Sequence, residues 1–352
     1  MTTEQKTRQG VFWAVTIGYG LFYVCRLSIN VLKKAIVEDG FLSESQLGII
    51  GSALFFSYAV GKLVNGFLSD RINVRYFMSG ALLICALVNA ALSLNIPFWL
   101  FVGLWAMNGW FQSCGAPCSV ISLKHWFSGK NYGTMYGFWS ASHNLGEAIT
   151  FILIAFVMGA LGWRVGFISA SVLGLLGAVM IFSLLRQHPS AATGISTRDK
   201  QRSIGKKQAE VIKMPIIWVL ALASAFMYIA RYAVNSWGIF YFEAQKSYTT
   251  VQAASLVSIS SIFGIIGTIG SGLVSDRIFK SDRVLMAVIT SVINLISISL
   301  FLFVPEGYYV LDVATMVLFG LSIGVLICFL GGLMAVDILH SRQLPNELNI
   351  NC

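Results

Sequence analysis

The stretch VFWAVTIGYGLFYVCRLSINVL, residues 11–32, decides how the rest of the chain is read. It is apolar and long enough to cross a bilayer, which takes about 20 residues, yet Arg26 stands inside it. The pattern around that arginine returns later: Tyr23-x-x-Arg26-x-x-x-Asn30 recurs as Tyr228-x-x-Arg231-x-x-x-Asn235. A second motif, Gly66-x-x-Ser69-Asp70-Arg71, recurs as Gly272-x-x-Ser275-Asp276-Arg277. The offsets, 228 − 23 = 205 and 272 − 66 = 206 residues, agree on one register. The chain therefore consists of two parallel halves.

Working outward, 57% of the 352 residues are apolar and 11% are charged. Soluble domains carry about a quarter charged residues. A soluble enzyme and a nucleic-acid binder are excluded, and the fold class is all-α, polytopic and membrane-embedded. Hydropathy predicts ten spans: 11–32, 46–69, 76–95, 98–121, 134–158, 163–186, 214–242, 252–274, 284–304 and 312–337. These group into a six-helix half (1–186), a basic linker (187–213), a four-helix half (214–340) and a polar tail (341–352).

The net charge of +9 reads as the Lys and Arg excess that orients membrane proteins. With the N-terminus cytoplasmic, that side collects about 17 Lys and Arg. The outer loops keep four: Lys33, Lys34, Arg164 and Lys246. Both termini and the linker are expected in the cytoplasm. No cleavable signal peptide is read, because the first apolar run is long and lacks a small-residue cleavage site. Cys25, Cys85, Cys114, Cys118 and Cys328 lie in apolar segments and read as packing thiols, with Cys352 at the end. No metal shell or cofactor motif accompanies them.

Three cations interrupt apolar spans: Arg26, Lys62 and Arg231. Each costs about 2.5–3.5 kcal/mol at a helix centre, against one clearly embedded acid, Glu147. Pseudo-symmetry sets the two guanidiniums at matching depth near the midplane, where parallel-repeat transporters hold substrate. A guanidinium fork binds phosphate oxygens bidentately, and a phosphomonoester carries about −1.5 to −2, which balances the surplus. Tyr19, Tyr23 and Arg26 share a helical face, and Tyr58 precedes Lys62 by one turn. His143 and Glu147 share a face of the fifth span. Plainer readings stand beside these. Arg26 or Lys62 reaching headgroups along its stem is one, and Lys62 pairing with Glu147 is another. Tyr19 in an interfacial belt and His143 as an interhelical hydrogen-bonder are the others. Gly264, Gly267 and Gly270 read as close-packing positions, and the Asp70-Arg71 and Asp276-Arg277 loops as gating or structural elements.

The paired Gly-x-x-Ser-Asp-Arg loops resemble the signature of the major facilitator superfamily. YGLFYVCRLSIN, SYAVGKLVNGFLSDRINVRYFM, GFWSASHNLGEAI and YIARYAVNSW are similar to organophosphate:phosphate antiporters, and the likeness runs from about residue 10 to 340. The resemblance implies alternating access and exchange of an external sugar phosphate for inorganic phosphate. Residues matching Arg26 and Arg231 would bind phosphate, with Lys62, His143, Tyr19, Tyr23 and Tyr58 lining the site. The resemblance implies a monomer in a bacterial inner membrane, with no cofactor and no nucleic acid. The lean is toward the hexose-phosphate branch. Leu27 stands where the family has a second basic residue, and Glu147 where it has a small one. The family has twelve helices, so the ending SRQLPNELNINC reads as a truncated or frameshifted second half. Two other functions stay open: a sensor that binds the same ligand and signals to a kinase, and a proton-coupled organic-anion symporter using Glu147.

Overall fold

A computed structural model describes residues 3–127, 130–186, 213–277, 283–330 and 334. Residues 187–212 of the expected linker and the tail 341–352 lie outside the described residues. The described elements are helices: α1 (Thr3–Glu38), α2 (Glu44–Ser69), α3 (Val74–Leu92), α4 (Phe98–Gln112), α5 (Gly115–Trp126) and α6 (Lys130–Leu161). They continue as α7 (Trp163–Leu184), α8 (Pro215–Gln245), α9 (Thr250–Arg277), α10 (Arg283–Phe303) and α11 (Tyr309–Cys328). Among the described residues, nine helices are long and apolar enough to cross a bilayer. Their large side chains face outward freely, as Phe56, Phe303 and Val310 do, which suits lipid as the surrounding medium.

Two boundaries differ from the hydropathy reading. The expected span 98–121 is two helices meeting at Ser113–Cys114. Pro117 has no N–H to give the Ser113 carbonyl. The Ser113 and Cys114 amides instead donate three residues back, to Trp110 at 3.3 Å and Phe111 at 3.4 Å, the tighter 3₁₀ pattern. The first span, expected over 11–32, runs as α1 to Glu38. Lys33 and Lys34, assigned above to an outer loop, are therefore helical, and Lys33 is buried. Hydropathy closes a span at consecutive charges, but a helix continues wherever its carbonyls find their i+4 amides.

Local signals set several ends. Ser43 caps α2 in a reciprocal box with Gln46, and the Asn73 side chain accepts from the Arg75 amide to start α3. Between α6 and α7 the chain turns on Gly162, at φ +83°, a conformation that disfavours any Cβ.

The described residues gather into two compact units. One comprises the helices up to α7 with Ser236–Ser258; the other comprises residues 213–235 and the described residues from Ile259 on. In the first unit α1 packs against α6 and α7, α3 against α7, and α2 against α4. The α1–α6 crossing depends on two facing glycines: a Cβ on Gly146 would lie 2.7 Å from the Gly20 carbonyl oxygen and 2.8 Å from its Cα.

In the second unit a Cβ on Gly267 would strike the Leu321 backbone, and Gly264 lies under Gly324. Gly270, grouped with them from sequence, has open space around its Cα, so its spacing in the glycine series is not a packing contact. Asn294 donates to Ser322 Oγ at 2.9 Å, tying α10 to α11. An apolar groove of about 940 Å³ opens between α8, α10 and the end of α11, lined by Val219, Phe226, Val288 and Leu295.

Gly146→Ala is expected to lower the apparent Tm in detergent by several degrees, because the clashing atoms are backbone and overpacking costs about 1–3 kcal/mol. Gly159→Ala, with nothing within 4 Å of the added carbon, is expected to leave it unchanged or raise it.

Candidate functional site

Arg26 is 5% exposed on α1, and its guanidinium is framed by aromatic rings. The Arg26 Cζ lies 4.5 Å from the Tyr58 ring centroid, 5.6 Å from Phe55 and 5.9 Å from Tyr23. On the same ring of Tyr58, Lys62 Nζ stands at 5.6 Å. One phenol thus lies within reach of two cations on different helices. A ring offset of this kind contributes about 0.5–2 kcal/mol, more when desolvated. That is less than the 2.5–3.5 kcal/mol a mid-span cation costs, so the rings offset part of the cost.

The tyrosines continue the lining. Tyr19 and Tyr23 meet edge to face at 5.5 Å, and Tyr23 approaches the His143 ring at 5.7 Å. Tyr19 also lies 4.9 Å from Trp139. The spacing Tyr19, Tyr23, Arg26 on α1 and Trp139, His143 on α6 presents these groups to one another across the Gly20–Gly146 contact. Six of the sequence-derived residues (Arg26, Lys62, Tyr19, Tyr23, Tyr58 and His143) therefore form one connected cluster in the first unit.

Glu147 is buried one turn beyond His143, whereas Lys62 is exposed. Asp70 and Arg71 are exposed at the end of α2. The side chains of Asp276 and Arg277 lie outside the described residues. In the second unit Arg231 is 8% exposed, with Tyr228 and Tyr232 stacked at 5.9 Å on the same helix. Cys25, Cys85, Cys114 and Cys118 are buried free thiols.

The sequence reading missed the groups that fix α1 at the level of Arg26. Asn89 on α3 and Asn108 on α4 both donate to the Cys25 carbonyl, at 2.9 and 3.1 Å. Gln112 donates to the Phe22 carbonyl at 2.9 Å, and Ser28 donates to Asn89 Oδ1 at 3.0 Å. These amides sit inside the apolar spans 76–95 and 98–121, where an unpaired amide is costly, and that was the signal available for finding them. Trp139 was also passed over. It is buried, and its Nε1–H makes no hydrogen bond.

The profile of the Major Facilitator Superfamily matches residues 15–342. The chain belongs to this superfamily. A relative from Chlamydia trachomatis named "Probable hexose phosphate transport protein" is 32% identical over 315 residues, covering 83% of this chain and 69% of that protein. "Membrane sensor protein UhpC" of Salmonella typhimurium is 30% identical, covering 87% and 73%. The solved structure of a bacterial homolog to the human lysosomal transporter Spinster aligns with TM-score 0.75 over 92% of this chain and 74% of its own. At 17% identity that likeness speaks to the fold alone. The resemblance read from the motifs holds: this is a multi-pass membrane protein of a transporter superfamily, related to sugar-phosphate carriers, and not an enzyme.

In the superfamily fold of this chain the Arg26–Tyr58 contact is testable by a double-mutant cycle. Tyr58→Leu is expected to destabilise the parent by about 1–2 kcal/mol through the lost cation–ring contact, and far less in an Arg26→Leu background. Tyr58→Phe should match the parent. Thermal unfolding in detergent reads all four corners.

Proposed function

We propose that this chain is a secondary active transporter. It exchanges a sugar phosphate, either a hexose phosphate or glycerol 3-phosphate, for inorganic phosphate by alternating access. The observation that carries the reading is the buried Arg26, 4.5 Å from the Tyr58 ring and in a cluster with Tyr23 and His143, on a motif that the sequence repeats around Arg231. Relatives named for hexose phosphate transport support the substrate class.

In this reading Arg26 and Arg231 clamp the phosphoryl group through bidentate hydrogen bonds. Lys62 and His143 add charge, and the hydroxyls of Tyr19, Tyr23 and Tyr58 serve phosphate or sugar oxygens. Glu147 tunes or couples the charge beside His143. The halves 1–186 and 214–340, joined by the linker 187–213, move against each other, with both termini cytoplasmic in a bacterial inner membrane. The carrier acts as a monomer.

A second reading has its own support, since a relative at 30% identity is named a membrane sensor. In that reading the same cluster binds external sugar phosphate and signals without transport. Counterflow of inorganic phosphate in proteoliposomes decides between them: exchange that scales with protein amount belongs to a carrier, and binding without exchange to a sensor. A proton-coupled symporter would lose uptake in Glu147→Gln and without a pH gradient, whereas the exchanger retains it.

Arg26→Lys and Arg231→Lys keep the charge and lose the fork. Each is expected to lower phosphate binding and counterflow at least about tenfold, because a hydrogen bond to a charged group contributes roughly 1.5–3 kcal/mol. Wild-type exchange in both variants overturns the clamp.

A further inference from the structure

Lys33 is 2% exposed and carries no carboxylate within ion-pair distance among the described residues. Its Nζ donates to the Ser236 carbonyl at 2.5 Å and to Ser236 Oγ at 3.0 Å. It also stands 3.9 Å from the Trp237 ring centroid. A buried ammonium is thus held by three neutral groups of α8. The next residue repeats the pattern more weakly: Lys34 donates to the Glu243 carbonyl at 3.3 Å and pairs with Glu38 at 3.7 Å. All of these groups belong to the first unit.

Lys33 follows Arg26 by seven residues, so Arg26, Asn30 and Lys33 form one stripe of α1. At 1.5 Å per residue Lys33 stands about 10 Å further along the helix. Arg26, Asn30, Lys33 and Ser236 line a common cleft, with Gly51 and Phe55 of α2 on its wall. The cleft measures about 20 Å³. A water needs about 10–15 Å³, so the cleft admits water and excludes a phosphate ion.

We propose that Lys33 is an anion-operated latch at the outer end of this cleft: phosphate or a phosphomonoester arriving from outside draws its ammonium from Ser236 and Trp237, and the released segment of α8 opens the way to Arg26. Neutral acceptors make this exchange favourable. A phosphate oxygen forms a charge-assisted hydrogen bond roughly twice as strong as one to an uncharged oxygen, whereas a carboxylate partner would compete with the anion. Lys33 is then the first of two cationic stations on one helix face, and Arg26 is the second. The proposal rests on the phosphate-site reading of Arg26 and on the orientation given with it.

The test uses Gly51→Cys as a reporter of cleft opening, since a side chain there meets no atom within 4 Å. Oriented proteoliposomes are labelled from outside with a membrane-impermeant maleimide, and labelling of the parent chain is subtracted. The reporter is expected to label slowly without ligand and at least about fivefold faster with inorganic phosphate outside, the lower end of ordinary coupling between sites. Adding Lys33→Met should give the fast rate without phosphate and abolish the phosphate response. Lys33→Gln serves the same comparison if the methionine variant is not recovered.

An unchanged basal rate in the Lys33 variants overturns the latch. So does a phosphate response of undiminished size in them, or no response in the reporter alone. Arg26→Lys separates the two readings. If it exchanges phosphate normally while the labelling response still requires Lys33, the clamp fails and the latch stands. Loss of exchange in Arg26→Lys together with Lys33-independent labelling leaves the clamp and removes the latch.

Discussion

A cation placed in the hydrocarbon layer must be compensated locally, and the first unit is organised around that requirement. Arg26 and Lys33 are both buried on α1. The first meets the faces of Tyr58, Phe55 and Tyr23; the second meets a carbonyl, a hydroxyl and an indole. Rings and neutral oxygens offset part of the desolvation cost of these two cations.

The cluster around Arg26 keeps its geometry only if α1 is held in register. The Cys25 carbonyl receives two side-chain amides, and the Phe22 carbonyl a third. In a bilayer such interhelical bonds contribute about 0.6–2 kcal/mol each, enough in combination to fix rotation of the helix about its axis. On the opposing side the Gly20–Gly146 approach brings α6 close enough for His143 to reach Tyr23. The second unit has comparable backbone contacts between α9 and α11, but the apolar groove between α8 and α10 stays open. In lipid such a face has no hydrophobic drive toward closure, since acyl chains cover it as well as leucines would.

Much of this was legible in the sequence. The repeat of Tyr-x-x-Arg-x-x-x-Asn, the apolar spans and the stranded cations require only residue spacing. Helical faces group Tyr19 and Tyr23 with Arg26 and Tyr58 with Lys62, while their joining with His143 in one cluster is what the family resemblance implied. The errors have one physical origin. Hydropathy averages over a window and treats a pair of lysines as the end of a span, so Lys33 was placed in water although α1 continues to Glu38. The same averaging carried α4 through Pro117, where the hydrogen-bond ladder breaks at Ser113. Asn89, Asn108 and Gln112 were visible as polar residues in apolar runs, but which carbonyl each would satisfy depends on helix packing that no one-dimensional pattern contains.

The position of the error on Lys33 is itself informative. A cation near a helix end can snorkel to headgroups at little cost. Lys33 instead points its ammonium at the Ser236 carbonyl and the Trp237 ring and is 2% exposed, so its stem is committed to protein. Lys34, one residue on, makes the comparison: its side chain is partly exposed and pairs with Glu38 in the same helix. Both lysines reach α8, but Lys34 does so from a partly exposed position and shares its ammonium with Glu38, whereas Lys33 is buried against Ser236 and Trp237. Helical geometry explains the division. Only Lys33 falls on the Arg26–Asn30 face, where it lines the same cleft as those two residues.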